Sequence, residues 1–483
     1  MYFGESAVLI FLRRYSYNFI KIHIGEKAGT AMAKTNMNML SGSLWDKIFI
    51  FAIPLAITGV IQQIFNATDV AIVGHYVGKH AMAAVGCNTP VVALMVNLFI
   101  GIALGINVVS AGFIGLNDRE KISRTVHTGY AVVLVLSIFI SAVAILCSSY
   151  IMGLLNVPPE LMDQASLYFK IIMAGLPLTA VYNCGAAVFA SHGDTRTPLL
   201  CLTVAGIINV VLNIFFITCL NMKVEGVALA TVAASAVSAL MLIFFLRKDE
   251  TFSFSLRQFT PDRAIMNRIL KIGLPASLQG MVFSLSNTCI QSAINSLGAD
   301  VMAASAAAFN IEILVYFLLN SFGQAATTFI GQNYAVGNIK RCFEITRVCL
   351  WQNMILTLLL SGFLLYFARA FLLLFTDDPD VIEIGRLRLM FILLPEGINV
   401  LLEVMSGAMR GYGRSLTPAM MALAGICGIR IIWVYTVFSR SPDFAVLMTC
   451  YPVSWFFTTL AIIIAYIRFK NRHLIPLTVK QHG

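Results

Sequence analysis

Residues 53–78 read IPLAITGVIQQIFNATDVAIVGHYVG. They belong to an apolar run that starts near Leu44 and is long enough to cross a bilayer, for which about 20 apolar residues suffice. The run is interrupted by Pro54, Gln62, Gln63, Asn66, Thr68 and one acid, Asp69. An Asp near a bilayer centre costs roughly 2.5–3.5 kcal/mol on insertion scales, so a membrane helix does not keep one for stability. Either Asp69 faces a cavity, a partner or an ion, or it lies one turn from the aqueous end and snorkels. Val70 to Val73 continue the apolar run beyond it and favour the first reading, with Gln62 as a polar neighbour on the same helix.

The whole chain has this character. Of 483 residues, 59% are hydrophobic and 12% charged, with a mean hydropathy of +0.84, whereas soluble domains carry about a quarter charged residues. Apolar runs predict twelve spans: 45–74, 83–113, 122–147, 162–191, 198–220, 226–246, 271–297, 303–333, 345–368, 381–409, 415–438 and 443–468. The net charge of +10 is spread over short loops, with no basic domain that could form a nucleic-acid groove. Most Lys and Arg fall on one side of the twelve spans: before the first, at Arg119, Lys121 and Arg124, at Arg196, between Arg247 and Lys271, at Lys340, Arg341 and Arg347, at Arg410 and Arg414, and at the C-terminus. Lys79, Lys223, Arg369, Arg386, Arg388 and Arg440 are assigned to the other side. The positive-inside rule then places both termini in the cytoplasm, with a bacterial plasma or inner membrane as the expected location. The ten cysteines are scattered singly and read as packing residues. Signatures of zinc proteases, serine hydrolases and P-loop ATPases are missing, so no enzyme is expected.

A twofold repeat organises the spans. Ile53-Pro54-Leu55-Ala56 answers Leu274-Pro275-Ala276-Ser277, and Val77-Gly78 with Met82-Ala83-Ala84 answers Leu297-Gly298 with Met302-Ala303-Ala304. Asn117-Asp118-Arg119 answers Gly337-Asn338-Ile339, Gly175-Leu176-Pro177 answers Leu393-Leu394-Pro395, and Gly193 to Pro198 answers Gly413 to Pro418. Six spans per repeat give both halves the same orientation. The prediction is an all-α integral membrane protein: twelve transmembrane helices in two six-helix lobes related by a pseudo-twofold axis along the membrane normal. Its parts are an N-terminal extension (1–44), an N-lobe (45–246), a cytoplasmic linker (247–270), a C-lobe (271–468) and a cytoplasmic tail (469–483). The extension has too short an apolar core for a signal peptide, and either an early-called start, with Met32, Met37 or Met39 as the true beginning, or a basic arm would account for it. Phe252, Phe254 and Phe259 suggest that the linker lies along the inner membrane surface.

Pro54, Pro177, Pro275 and Pro395 are candidate bending points. Asn183 follows Pro177 in the fourth span. Asn209 and Asn213 are four apart on one helical face of the fifth, and Thr231 reaches similar depth across a short turn. With Asp69 these are hard oxygen donors suited to Na+ or to proton handling. By spacing alone, the Asn and Thr side chains read first as hydrogen-bond glue between helices, the usual role of such side chains in membranes.

The repeat, the twelve spans, the Asp of the first, Asn-x-x-x-Asn followed by Phe-Ile in the fifth, and the loops Gly-Asp-Thr-Arg-Thr-Pro and Gly-Gln-Asn-Tyr-Ala-Val-Gly-Asn together resemble the multidrug and toxin extrusion (MATE) transporters, over about residues 45–470. The resemblance implies a two-lobe antiporter that expels cationic amphipathic small molecules in exchange for Na+ or H+. It needs no cofactor and is expected as a monomer in lipid. The family's N-lobe cation site maps onto Asp69, Asn209, Asn213 and Thr231, and Asn183 matches another family position. Two departures stand out. One branch carries Asp where Asn213 stands, and the seventh-span Glu of other branches has no counterpart between Gly273 and Ile294. The C-lobe instead offers Glu312, and Glu396 and Glu403 two turns apart on one face. These acids either line a cavity that attracts cations or pair with Arg430. Alternative functions are a lipid-linked oligosaccharide flippase of the same superfamily, which would line its cleft with more Arg and Lys, and a major-facilitator-type carrier, whose loop motif Gly115-x-x-Asp118-Arg119 matches only in part.

Overall fold

The computed structural model describes residues 37–155, 157–252, 254 and 261–480. The expectations about residues 1–36 and Phe259 lie outside them.

Among the described residues, eleven helices are long and apolar enough to cross a membrane, and a twelfth span is a bent pair. We number them α1 (Leu44–Val77), α2 (His80–Gly115), α3 (Arg119–Leu146), α4 (Pro159–Ser191), α5 (Arg196–Thr218), α6 (Val224–Lys248), α7 (Arg263–Asn295), α8 (Ala299–Ala335), α9 (Ile339–Tyr366), α10 (Pro379–Leu393 and Glu396–Gly411), α11 (Leu416–Phe438) and α12 (Phe444–Leu477). The two pieces of α10 meet at 43°, with Pro395 in the break. Pro54, Pro177 and Pro275 lie inside helices that run on past them. The Thr58 hydroxyl donates to the Pro54 carbonyl at 2.8 Å, one turn back along the same helix, while the missing Pro54 N–H leaves the Ile50 carbonyl without its usual backbone donor.

The repeat is written into the turns. Gly78 and Gly298 both have φ 107°, Asn117 and Gly337 have φ 56° and 78°, and Gly193 and Gly413 have φ 95° and 77°. All three pairs share one 220-residue offset, so three of the turns between helices place a positive-φ residue at corresponding positions in both halves. The capping residues repeat as well: Asp118 accepts from the Lys121 backbone N–H at 3.1 Å, and Asn338 from that of Arg341 at 3.4 Å. Helix packing repeats in the same way. The pairs α1 with α5 and α2 with α4 recur as α7 with α11 and α8 with α10, and the lobes join through α1 against α8 and α7 against α2.

Small residues allow this junction. The backbone of α2 runs so close to α7 that a Cβ at Gly101 would strike Ser277 and one at Gly105 the Ile269 carbonyl; at Gly115 it would strike the Gln332 carbonyl of α8. All three glycines lie in the half of α2 that leads into α3. Uncharged hydrogen bonds lie at the same level: Thr328 Oγ1 to Asn107 Oδ1 (2.9 Å), and Gln332 Nε2 to the Ser191 carbonyl (2.7 Å).

Helix α1 spans both lobes. Just before its first turn, Asn333 Nδ2 and Arg341 Nε each donate to the buried Met39 carbonyl at 3.2 Å, and Gln352 Nε2 donates to the Trp45 carbonyl at 2.6 Å. Further along, Gly59 accommodates the Phe317 ring of α8, while Gly206 of α5 accommodates Phe65. The first half of α1 is therefore held mainly by the C-lobe, with one N-lobe bond from the Thr195 hydroxyl to the Phe51 carbonyl at 3.0 Å, and the second half packs on the N-lobe.

Two expectations need correction here. Phe252 and Phe254 do not lie on a membrane surface but are buried in the N-lobe core, where Phe252 packs on Phe189 and His192, and Phe254 on His127 and Tyr130. Burying two aromatic rings outweighs interfacial placement because each removes well over 100 Å² from water. Arg388 and Arg410 are not loop residues. Both are buried within α10, each beside a carboxylate.

Candidate functional site

Asp69 sits in the half of α1 away from the interlobe glycines, half-buried against α5 and α6. Helix periodicity stacks Asn209 and Asn213 of α5 one turn apart, and both are buried, at 4% and 0% exposure. Asn213 Nδ2 donates to Asp69 Oδ1 at 2.6 Å and to Asn209 Oδ1 at 3.2 Å. Asn209 Nδ2 donates to Thr231 Oγ1 at 3.4 Å, and the single Thr231 hydroxyl proton is within reach of both Asp69 Oδ2 at 3.2 Å and the Val227 carbonyl at 3.0 Å. The four side chains close a ring of hydrogen bonds whose two arms leave Asn213 and both end on the carboxylate.

That direction is forced by chemistry. An ionised carboxylate only accepts, so the Asn213 amide nitrogen must face it. The Asn213 amide oxygen is then left buried without a partner. Since nearly all buried polar atoms are paired, an orphaned amide oxygen on a side chain bonded to a carboxylate is a candidate cation ligand. Tyr168 of α4 lies within electrostatic reach of Asp69 and walls the site with the apolar cluster of Ile72, Val73, Val85, Ile217 and Val227. Among the described residues, no group of three or more His, Cys, Asp and Glu side chains could hold a metal ion. The ring is thus an oxygen site with one negative charge, suited to a monovalent ion or a proton.

The sequence-predicted residues divide. Asp69, Asn209, Asn213 and Thr231 come together. Gln62 is exposed on α1, Asn183 is half-buried on α4, and neither hydrogen-bonds to the ring. In the C-lobe, Arg388 clasps Glu312 with Nη2 to Oε1 at 2.6 Å and Nε to Oε2 at 3.1 Å, with the side chains 5% and 10% exposed. Arg410 Nη2 meets Glu403 Oε2 at 3.4 Å. Glu396 is buried and accepts from Asn399 at 3.4 Å. Arg430 pairs with none of the three acids. It lies over the Tyr451 ring at 4.2 Å and bonds Ser454 and Asn287, so of the two readings the ion pair with Arg430 does not form, and two other arginines take Glu312 and Glu403. Sequence reasoning missed Arg388, Arg410 and Tyr168. Arg410 had a signal, since it continues the seven-residue spacing of Glu396 and Glu403 on one face; Arg388 and Tyr168 meet their partners across helices and had none.

Two stretches of the chain, residues 54–215 and 275–436, match the MatE family model. The chain belongs to the MatE family. The two matched stretches begin at Pro54 and Pro275, the prolines that correspond in the repeat. Among curated MatE relatives, the chain is 26% identical over 388 residues to "Probable multidrug resistance protein NorM" of Thermotoga maritima, covering 79% of this chain and 82% of that one. It is 24% identical over 397 residues to "Probable multidrug resistance protein YoeA" of Bacillus subtilis, covering 80% and 86%. A crystal structure described as MATE in complex with MaL6 superposes with a TM-score of 0.84 at 21% identity, over 92% of this chain and all of that one, and establishes the shared fold.

Proposed function

We propose that the protein is a secondary-active multidrug exporter that expels cationic amphipathic small molecules in exchange for Na+ or H+ by alternating access. The names of the similar MatE proteins, multidrug resistance proteins among them, support export of drugs. The observation that carries ion coupling is the Asp69 ring with its orphaned Asn213 oxygen.

The ring has two exclusive states. With Asp69 ionised, both carboxylate oxygens accept, and a Na+ ion can draw on Asp69, Asn213 Oδ1, Asn209 Oδ1 and Thr231 Oγ1. A proton placed on either oxygen turns an acceptor into a donor, which then faces the Asn213 amide or the Thr231 hydroxyl, and the ring must rearrange. Because the same helix is tied to the C-lobe at Met39, Trp45 and Gly59, a shift of α1 at Asp69 bears on the lobe junction. With both termini on the cytoplasmic side, the interlobe glycines seal the cytoplasmic end. A bacterial plasma or inner membrane location and a monomeric unit complete the reading.

Proteoliposomes loaded with a fluorescent organic cation, challenged separately with a Na+ gradient and a pH gradient, test it. Dye movement driven by at least one gradient is expected. Movement indifferent to both would refute coupled export.

A further inference from the structure

The C-lobe holds three acids and three arginines that the coupling reading does not use. Two pairs close on themselves, Glu312 with Arg388 and Glu403 with Arg410. The third does not close. Glu396, 3% exposed, has its Oε2 buried with no partner, and Arg430, 1% exposed, has its Nη2 buried with no partner. The two groups feel each other's charge but make no ion pair. A buried cationic donor and a buried carboxyl oxygen are therefore both left without a partner in the part of the C-lobe where α7, α10, α11 and α12 pack. Leaving such groups unmatched costs several kcal/mol, which a folded protein tolerates where something binds.

The backbone around both is deformable. Glu396 is the first residue after the Pro395 break of α10. Arg430 stands between two π-helical segments of α11, Leu423–Gly428 and Val434–Phe438, a distortion common at functional sites. The guanidinium itself is oriented: Nε donates to Ser454 Oγ at 3.1 Å, Nη1 to Asn287 Oδ1 at 3.4 Å, and the Tyr451 ring lies against it, which leaves the Nη2 edge for a ligand.

We infer that Arg430 and Glu396 form a C-lobe subsite for an anionic group, a carboxylate, on a transported molecule, and that the carboxylate enters together with a proton on Glu396. The inference rests on the export reading above and extends its substrates to zwitterions. The charge balance requires the proton. With the other two pairs neutral, ionised Glu396 offsets Arg430 across the gap; an arriving carboxylate would add an uncompensated negative charge in a low-dielectric lobe. Protonating Glu396 restores neutrality and turns its oxygen into a donor, so that Glu396 and Arg430 Nη2 converge on the carboxylate.

The neighbours do not supply that proton. From α8 come Glu312, which Arg388 of α10 already clasps, and Tyr316; α10 also brings the closed pair Glu403 and Arg410. From α11 and α12 come Cys427, Cys450 and Tyr451, the last bonded to Arg388, while α7 contributes the uncharged Asn287, Ser286 and Phe283.

The test uses the full chain in nanodiscs and two rhodamines, one with a free carboxylate and the other its methyl ester, with binding read by fluorescence anisotropy at about pH 6 and about pH 8. The acid should bind more tightly at the lower pH and the ester should not. Arg430→Gln should weaken the acid at least about tenfold and the ester less than about twofold. Arg430→Lys, which keeps the charge without the fork, should retain part of the acid's affinity. Glu396→Gln should bind the acid at the higher pH as wild type does at the lower. If acid and ester respond alike to Arg430→Gln and Arg430→Lys, as they would if only water filled the gap, or if Glu396→Gln keeps the pH dependence, the subsite is refuted. Failure of wild-type proteoliposomes to move the ester would count against the export reading instead.

Discussion

Glu312→Gln separates a structural acid from a substrate-binding one. In the native protein the Arg388 guanidinium makes two hydrogen bonds to Glu312, at 2.6 and 3.1 Å, and both side chains are at least nine-tenths buried. The amide can still accept one of these bonds through its oxygen, but its nitrogen then faces a donor and the charge is lost. Breaking a buried pair in this way typically costs about 3–5 kcal/mol, and the retained bond places this case near about 3. That is a hundredfold or so in the folded ratio. Thermal unfolding of the purified variants should rank wild type well above Glu312→Gln and Arg388→Gln. The double replacement Glu312→Leu with Arg388→Met should recover most of the loss, since it buries no unpaired charge. Efflux per folded molecule should be little changed in Glu312→Gln. If Glu312→Gln melts like wild type and selectively loses cationic substrates, Glu312 belongs to the binding cavity and the pairing argument fails.

Other expectations follow from the same geometry. Gly105→Val drives a side chain into the Ile269 carbonyl of α7, so it should weaken the seal between the lobes and expose introduced cysteines there to a soluble thiol reagent; unchanged labelling would contradict the close approach. His192, at the end of α4, has both ring nitrogens buried without partners, and burial holds its pKa below the usual 6.5, with Asp249 and Asp194 opposing. The unfolded chain therefore takes up that proton first, so this contribution to stability is full above the unfolded value and declines as pH falls through it. His192→Gln should flatten the decline in melting temperature between about pH 8 and about pH 5.5, and an unaltered slope would count against it. A reporter fused near Gln258 or after His482 should be cytoplasmic, and activity on the opposite face would overturn the twelve-span orientation. A chain begun at Met37 keeps the Met39 carbonyl that Asn333 and Arg341 hold, and should still insert and transport; loss of either would show that the preceding residues matter.

Much of this architecture is legible in the sequence because a bilayer imposes length and apolarity on every span, and the duplicated turns fix their order. The Gly78 and Gly298 positions illustrate it: both need a left-handed backbone, and the repeat shows them at one offset before any geometry is known. The Asp69 ring is legible in part. Asn209 and Asn213 share a face by periodicity, but that Asn213 donates twice and strands its own oxygen depends on a crossing angle no spacing reveals. The C-lobe charges are the least legible. Glu312 has three arginines within plausible reach along the chain, and only the packing of α8 on α10 selects Arg388. The pattern around Phe252 and Phe254 points to a membrane surface although both rings are buried, because an amphipathic pattern looks the same whether its apolar side faces lipid or a lobe's core.

The coupling role of Asp69 is tested most directly by comparing Asp69→Asn with wild type in proteoliposomes under imposed Na+ and pH gradients. The amide keeps the size of the side chain and removes the one negative charge in the ring, worth about 4 kcal/mol toward a cation about 4 Å away at an effective dielectric near 20, or roughly a thousandfold in ion affinity. The variant should fold, should still bind the dye, and should move it no faster with either gradient than without. Dye transport by Asp69→Asn at the wild-type rate under both gradients would show that Asp69 is structural.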